Sequence, residues 1–248
     1  MSSSELILLT LLFFVTSVVG VVTGSNSLIT VPVMFQFGID EKVAVATNMF
    51  GLTFMAIGGT IPFVRQGRIN AGRLSPMIVL TAVGSAIGAM LVGVITNQGI
   101  KLVVAIAMIF VTVFTVLNPK NERYVGKGKA SVVIAYPLVF VLAIYGGLYS
   151  GGYVTILTAV LVAFSGMTFG ESIGSTKLLN VFSSGIATLI FMWQGLIDYR
   201  LGIILGVAMF VGAYVGAHYA TKMNDVWLRR IFLATVIILA LKTIVDFT

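Results

Sequence analysis

Lys177, Asn180 and Ser184 recur at i, i+3 and i+7 in the stretch ESIGSTKLLNVFSSG, from Glu171 to Gly185. That spacing sets all three on one face of an α-helix, with Thr176 four residues before Asn180. Past Lys177 the next charge is Asp198. A lone ammonium beside amide and hydroxyl groups suits an anion: the ammonium offsets its charge and the N–H and O–H groups bond its oxygens. Two polar interruptions elsewhere offer the same chemistry from the backbone. GVVTGSNSLITVP, Gly20 to Pro32, carries Gly24-Ser25-Asn26-Ser27, and a second apolar run is broken at Tyr149-Ser150-Gly151-Gly152-Tyr153. A helix restarting after such a break presents unpaired N–H groups and a positive dipole end, which together form an anion site. Glycine lets backbone approach a ligand closely, and Ser25, Asn26, Ser27 and Ser150 add donors. Thr47 and Asn48 give a further helix a polar start.

The elements that must position these groups follow from composition. The chain has 248 residues, 58% hydrophobic and 9% charged, with a mean hydropathy of +1.09. Soluble domains carry roughly 25% charged residues. Apolar stretches approach the roughly 20 residues that cross a bilayer as a helix, as at 77–95, 102–117 and 231–241. An all-α polytopic membrane protein is expected, without the short alternating strands of a membrane β-barrel. There is no Cys and one His, His218, so disulfides and multi-His metal sites are not expected, nor any cofactor. The 15 Lys and Arg against 8 acids, formally +7, read as cytoplasmic loop charge rather than a nucleic-acid surface. The leader MSSSE lacks a basic n-region and no Ala-x-Ala site follows, so 6–22 reads as a retained helix.

Shifted by 128 positions, the sequence falls on itself. FVRQGRIN (63–70) meets FMWQGLID (191–198), Gly84-xxx-Gly88-Ala89 meets Gly212-xxx-Gly216-Ala217, and Gly24, Thr30 and Thr47 meet Gly152, Thr158 and Ser175. Such doubling is frequent in transporters. The halves are expected at 1–119 and 130–248, joined by a basic linker at 120–129. Each reads as five apolar segments: 6–22, 28–38, 43–64, 74–95 and 101–118, then 130–149, 153–165, 171–193, 200–220 and 229–247. The second segment of each half is too short to cross alone, and reads as a broken or re-entrant helix. Arg65, Arg68 and Arg73, then the linker's Lys120, Arg123, Lys127 and Lys129, then Lys222, Arg229 and Arg230 form three basic loops. If all three lie inside, each half crosses an odd number of times, the repeats are inverted, and both termini lie outside the cytoplasm.

Each feature has a plainer reading. Lys177 lies about 9 Å along the helix from Glu171 at 1.5 Å per residue, so its ammonium would reach headgroups if it snorkelled; Asn180 a turn deeper on the same face favours a site instead. The glycines of the breaks would serve helix packing, a reading preferred for Gly84-xxx-Gly88 and Gly212-xxx-Gly216. Irregular backbone survives in a bilayer only when buried in protein or lining a wet cavity, which favours a site at the breaks. His218, Trp193, Tyr199 and Trp227 read as interfacial, and Glu171 as a loop-edge carboxylate rather than a proton-coupling group.

The ordered set GVVTGSNSLITVP, AVATNMF, RQGRIN, GGLYSGGYVTIL, GSTKLLNVFSS and WQGLID resembles the TauE/SafE (sulfite exporter) family over nearly the whole chain. Where that family usually shows a run of glycines, this chain has Gly24-Ser25-Asn26; the second copy matches better, and Lys177-x-x-Asn180 is similar to the family pattern. The resemblance implies an inner-membrane carrier of small sulfur-containing or carboxylate anions, sulfite or organosulfonates among them, with export as the direction. The expected site comprises Gly24, Ser25, Asn26, Ser27, Thr47, Asn48, Ser150, Gly151, Gly152, Tyr153, Thr176, Lys177 and Asn180. A coupling proton or Na⁺ and a homodimer stay open at this stage. An anion channel is the first rival. An intramembrane Ser–Lys hydrolase is less favoured because no GxSxG or HExxH motif is present, and a ligand-free scaffold is the third alternative.

Overall fold

The computed structural model describes the backbone at 3–24, 26–117, 129–228, 230, 231 and 234, and the side chains of these residues except 111–117 and 129–132. The described residues are helical, without strands. The helices are α1 (Ser3–Thr23), α2 (Ser27–Gln36), α3 (Glu41–Arg65), α4 (Ala71–Val94), α5 (Asn97–Leu117), α6 (Lys129–Leu148), α7 (Tyr153–Phe164), α8 (Phe169–Trp193) and α9 (Tyr199–Ala220). Five of them, α1, α3, α4, α8 and α9, are long and apolar enough to cross a membrane. The expected segments coincide with these helices to within four residues at each end; the linker at 120–129 and the last segment lie almost wholly outside the described residues.

The helix starts are fixed by caps placed just before each apolar run. Asp40 accepts from the N–H groups of Lys42 and Val43 at the start of α3. Asn70 accepts from Arg73 N at α4, and Asp198 accepts from Leu201 N at α9. These last two caps are equivalent under the shift of 128. Glu171 closes a capping box with Thr168 at α8: its carboxylate takes the Thr168 N–H at 2.8 Å, while the Thr168 hydroxyl takes the Glu171 N–H. A cap of this kind satisfies donors left over at a helix start, so Glu171 is accounted for structurally.

Helix α3 packs against α8 and α9, α4 packs against α8 and α6, and α1 packs against α9. Under the shift α1 becomes α6, α3 becomes α8 and α4 becomes α9, so α1 on α9 corresponds to α6 on α4, and α3 on α9 to α8 on α4. The backbone repeats as well. Among the described residues, the six glycines with positive φ fall into three equivalent pairs, Gly24 with Gly152, Gly38 with Gly166 and Gly67 with Gly195. The GxxxG faces make close helix contacts: a methyl placed on Gly88 would lie 2.0 Å from the Ile144 carbonyl oxygen, and one on Gly216 would lie 2.2 Å from that of Val18. Without a hydrophobic drive between helices in lipid, such approach of small residues is what holds them.

The loops gather at two ends. At one, Arg68 donates to Thr221 O at 2.9 Å, Gln66 to the Thr221 hydroxyl at 2.9 Å and Gly170 N to Asp225 at 3.2 Å, while Arg73 donates to Ser165 O. At the other, Lys42 donates to Gly93 O at 3.0 Å, Asn97 donates to Asp40 and Asp198 N donates to the Thr47 hydroxyl at 3.0 Å. The loop 66–70 and its equivalent 194–198 therefore lie at opposite ends, and α3 and α8 run in opposite directions. The basic loop at 65–73 touches the one that begins at Thr221, as the charge pattern requires.

Candidate functional site

Helix α1 stops because Gly24 takes φ +73, a left-handed conformation that costs glycine little. The chain resumes as α2 with Asn26 at its N-cap, and the Asn26 side chain makes no cap bond. In the second half α6 ends at Leu148, and Gly152, φ +76, precedes α7, again with no side-chain cap. The two breaks meet. Ser27 Oγ and Ser150 Oγ lie 2.8 Å apart, the Tyr149 hydroxyl donates to Ser27 O at 2.9 Å, and the Thr155 hydroxyl donates to Thr23 O at 2.6 Å. A methyl on Gly24 would sit 2.8 Å from Thr155 N, so only glycine lets the chains approach this closely. Behind the serines, Asn48 Nδ2 donates to Ser27 Oγ at 2.9 Å and the Thr30 hydroxyl donates to Asn48 Oδ1 at 2.8 Å. The equivalent pair in the second half, Thr158 and Thr176, lies at 3.4 Å.

Lys177 points into this junction from α8. It is 2% exposed, its stem passes over Gly59 of α3, and its Nζ donates to Gly20 O of α1 at 3.2 Å. Gly20 O already accepts the Gly24 N–H at 2.8 Å, so the ammonium takes its second lone pair, at the negative end of the helix dipole. No carboxylate lies within ion-pair distance of it among the described residues. An ammonium has three N–H donors, and the carbonyl uses one. A small cavity of about 10 Å³ opens beside it, lined chiefly by Gly20, Asn26, Ser27, Ser150, Lys177 and Asn180. That volume holds about one water molecule. Both polar atoms of the Asn26 amide are buried there without a hydrogen-bond partner. Asn180, 4% exposed, lines the cavity from α8. A buried charge with no counter-charge and a buried amide with no partner are costly in an apolar setting. The arrangement offers an ammonium and neutral N–H and O–H donors to whatever enters the cavity.

The family model "Sulfite exporter TauE/SafE" matches residues 9–243. The chain belongs to the TauE/SafE family. It is 24% identical over 234 residues to "Probable membrane transporter protein ORF9" of Sinorhizobium sp, covering 94% of this chain and 90% of that protein. To "Probable membrane transporter protein YfcA" of Escherichia coli K12 it is 24% identical over 247 residues, covering 97% and 91%. A relative in Bacillus subtilis, "Probable membrane transporter protein YdhB", is 26% identical over 207 residues, covering 80% and 83%. The protein is a membrane transporter with multiple transmembrane helices.

Of the residues expected at a TauE/SafE binding site, the cavity gathers Gly24, Asn26, Ser27, Ser150, Lys177 and Asn180. Ser25 lies outside the described residues. Asn48 stands one layer back and holds Ser27. Gly151 and Gly152 shape the second break: the Tyr145 hydroxyl bonds Gly151 O, and Gly152 precedes α7. Three others face elsewhere. Thr47 takes the Asp198 N–H at the start of α9, Thr176 donates to Ile173 O at 2.8 Å, and the Tyr153 ring packs on Gly146. Ser184 donates back to Asn180 O at 2.6 Å, so its proton is spent within α8. Gly20, Leu52, Met55 and Val154, which complete the wall, were not among the expected site residues. Small and apolar residues are the common stuff of membrane helices.

Proposed function

We propose that this TauE/SafE protein is a secondary carrier of small oxyanions, sulfite, organosulfonates or carboxylates, working by alternating access. Two inverted halves, 1–119 and 130–248, rock about the cavity where their breaks meet. The observation that carries the reading is Lys177: a buried ammonium without a counter-ion, among donors contributed by both halves. A sulfonate or sulfite oxygen would accept from the two remaining Lys177 donors. The serine pair supplies one more, since two hydroxyl protons serve a single bond between them. The amides of Asn26 and Asn180 add theirs.

The water-sized cavity favours a carrier over a channel, because a channel needs a continuous wet path. Ser27 and Ser150 bond each other while Lys177 bonds a carbonyl, so the Ser–Lys hydrogen bond that a hydrolase would use is not formed by either serine. The family name and the bacterial relatives support the inner membrane and a sulfur oxyanion as cargo. An inside-negative potential drives a monoanion outward by about 2.3 kcal/mol per 100 mV. Export therefore needs no coupling ion, whereas uptake would need a proton or Na⁺. Counterflow in proteoliposomes tests the proposal. Saturable sulfite or ethanesulfonate flux that is accelerated by the same anion on the far side, and lost in Lys177→Met, is expected. Linear flux without trans-acceleration would make the protein a channel.

A further inference from the structure

The Asn26 amide cannot be satisfied by an anion alone. It is 3% exposed, lines the cavity, and neither its oxygen nor its nitrogen has a partner. Whichever way the amide is turned, it offers two N–H donors and one carbonyl acceptor. A sulfonate or carboxylate has oxygens for the N–H groups, and nothing for the carbonyl. The Asn180 side chain lines the same cavity beside Lys177. The cavity thus holds more donors than acceptors, as an anion site must, but it also holds one buried acceptor, the Asn26 carbonyl, that a bare oxyanion leaves orphaned. An acceptor buried and unmade costs free energy whatever else is bound.

From this we infer that the preferred solute is a small hydroxy-anion, with a neutral hydroxyl donor within a few bonds of its charged group. The inference rests on the anion reading of the cavity and narrows it. The anionic end faces Lys177 and the serine pair, and the hydroxyl donates to the Asn26 carbonyl. An ammonium could donate as well, but Lys177 already places a positive charge in the same cavity, and like charges repel strongly where water is excluded. The donor is therefore neutral. A site built to receive a donor rejects the analogue lacking it far more sharply than a merely apolar pocket could.

The test is thermal stabilisation of the purified full chain in detergent, titrated with 2-hydroxyethanesulfonate, ethanesulfonate and 2-aminoethanesulfonate, and in parallel with glycolate and acetate. The hydroxy member of each pair is expected to reach half-effect at a concentration at least about tenfold lower. In Asn26→Leu the ratio within each pair is expected to fall to about one. The amino compound is expected to be weaker than the hydroxy compound. Equal half-effects within the pairs in the wild-type protein, with protection lost in Lys177→Met, would overturn the hydroxyl inference while leaving the anion site standing. An amino compound as good as the hydroxy compound would overturn the neutral-donor assignment. A preference that persists in Asn26→Leu would remove Asn26 as its source. If no anion protects, or if Lys177→Met is protected as well as the wild type, the anion reading fails first and the inference falls with it. The wild-type comparison decides the matter even if Asn26→Leu does not fold.

Discussion

Ser27 Oγ and Ser150 Oγ lie 2.8 Å apart although 123 positions separate them in the chain. Each belongs to a helix break, and the breaks occupy corresponding places in the two halves. The hydrogen bond ties the halves at the residues that line the cavity, and Asn48 fastens the Ser27 side of it. Any rocking of one half against the other must strain or exchange this bond.

A double-mutant cycle on Ser27→Ala and Ser150→Ala, read by thermal or chemical unfolding in detergent, is expected to show coupling. Each single change should cost about 1 kcal/mol, and the pair should fall short of the sum by at least about 0.5 kcal/mol. Ser27→Ala should be the more costly change, because it also strands Asn48 Nδ2. Strict additivity would mean that the two breaks do not hold each other.

Two glycine substitutions should have opposite signs. Gly88→Ala drives a methyl to 2.0 Å from the Ile144 carbonyl oxygen, and backbone cannot step aside as a flexible side chain can. A loss of about 3 kcal/mol or more, or no folded protein, is expected from such overpacking. Gly185 of α8 meets nothing nearer than Thr53 Cγ2 at 4.0 Å. Gly185→Ala should therefore stabilise by about 0.5–1 kcal/mol through helix propensity. Melting temperatures of the two variants beside the wild type check both.

The chain contains no Cys, so single cysteines report topology without background. Arg65→Cys and Lys222→Cys stand by loops that touch each other, whereas Arg200→Cys stands at the other end of the bundle. A membrane-impermeant maleimide should label Arg65→Cys and Lys222→Cys only from the cytoplasmic side, and Arg200→Cys only from outside. Labelling of all three from one side would contradict the antiparallel placement of the halves.

Much of this arrangement was legible because the bilayer punishes exceptions. Polar, glycine-rich breaks and a lysine within an apolar helix are expensive in lipid, so Gly24, Ser150 and Lys177 stood out against their surroundings. The shift of 128 was legible for a related reason: equivalent turns need glycine at equivalent left-handed positions, as at Gly67 and Gly195. The apolar part of the wall was not legible, since Leu52, Met55 and Val154 resemble any lipid-facing residue until the packing is known. Side-chain direction was the other gap. Thr47 and Asn48 are neighbours, but a helix turns about 100° per residue, so Asn48 reaches Ser27 while Thr47 serves the α9 cap. Backbone carbonyls that absorb hydroxyl protons, as Asn180 O does for Ser184, likewise leave no mark on the sequence pattern.

Whether Lys177 stands buried to meet an anion is read from the melting temperature of Lys177→Met, with and without ethanesulfonate. An isolated buried charge is a burden on the empty protein, so its replacement by an apolar side chain of similar length should leave stability unchanged or raise it by about 1–4 kcal/mol. The wild-type protein should gain about 2.7 kcal/mol at a hundredfold excess of anion over Kd, and the variant should gain nothing. A variant that melts well below the wild type yet keeps the full anion-dependent rise would show that Lys177 props up the fold and that the anion binds elsewhere.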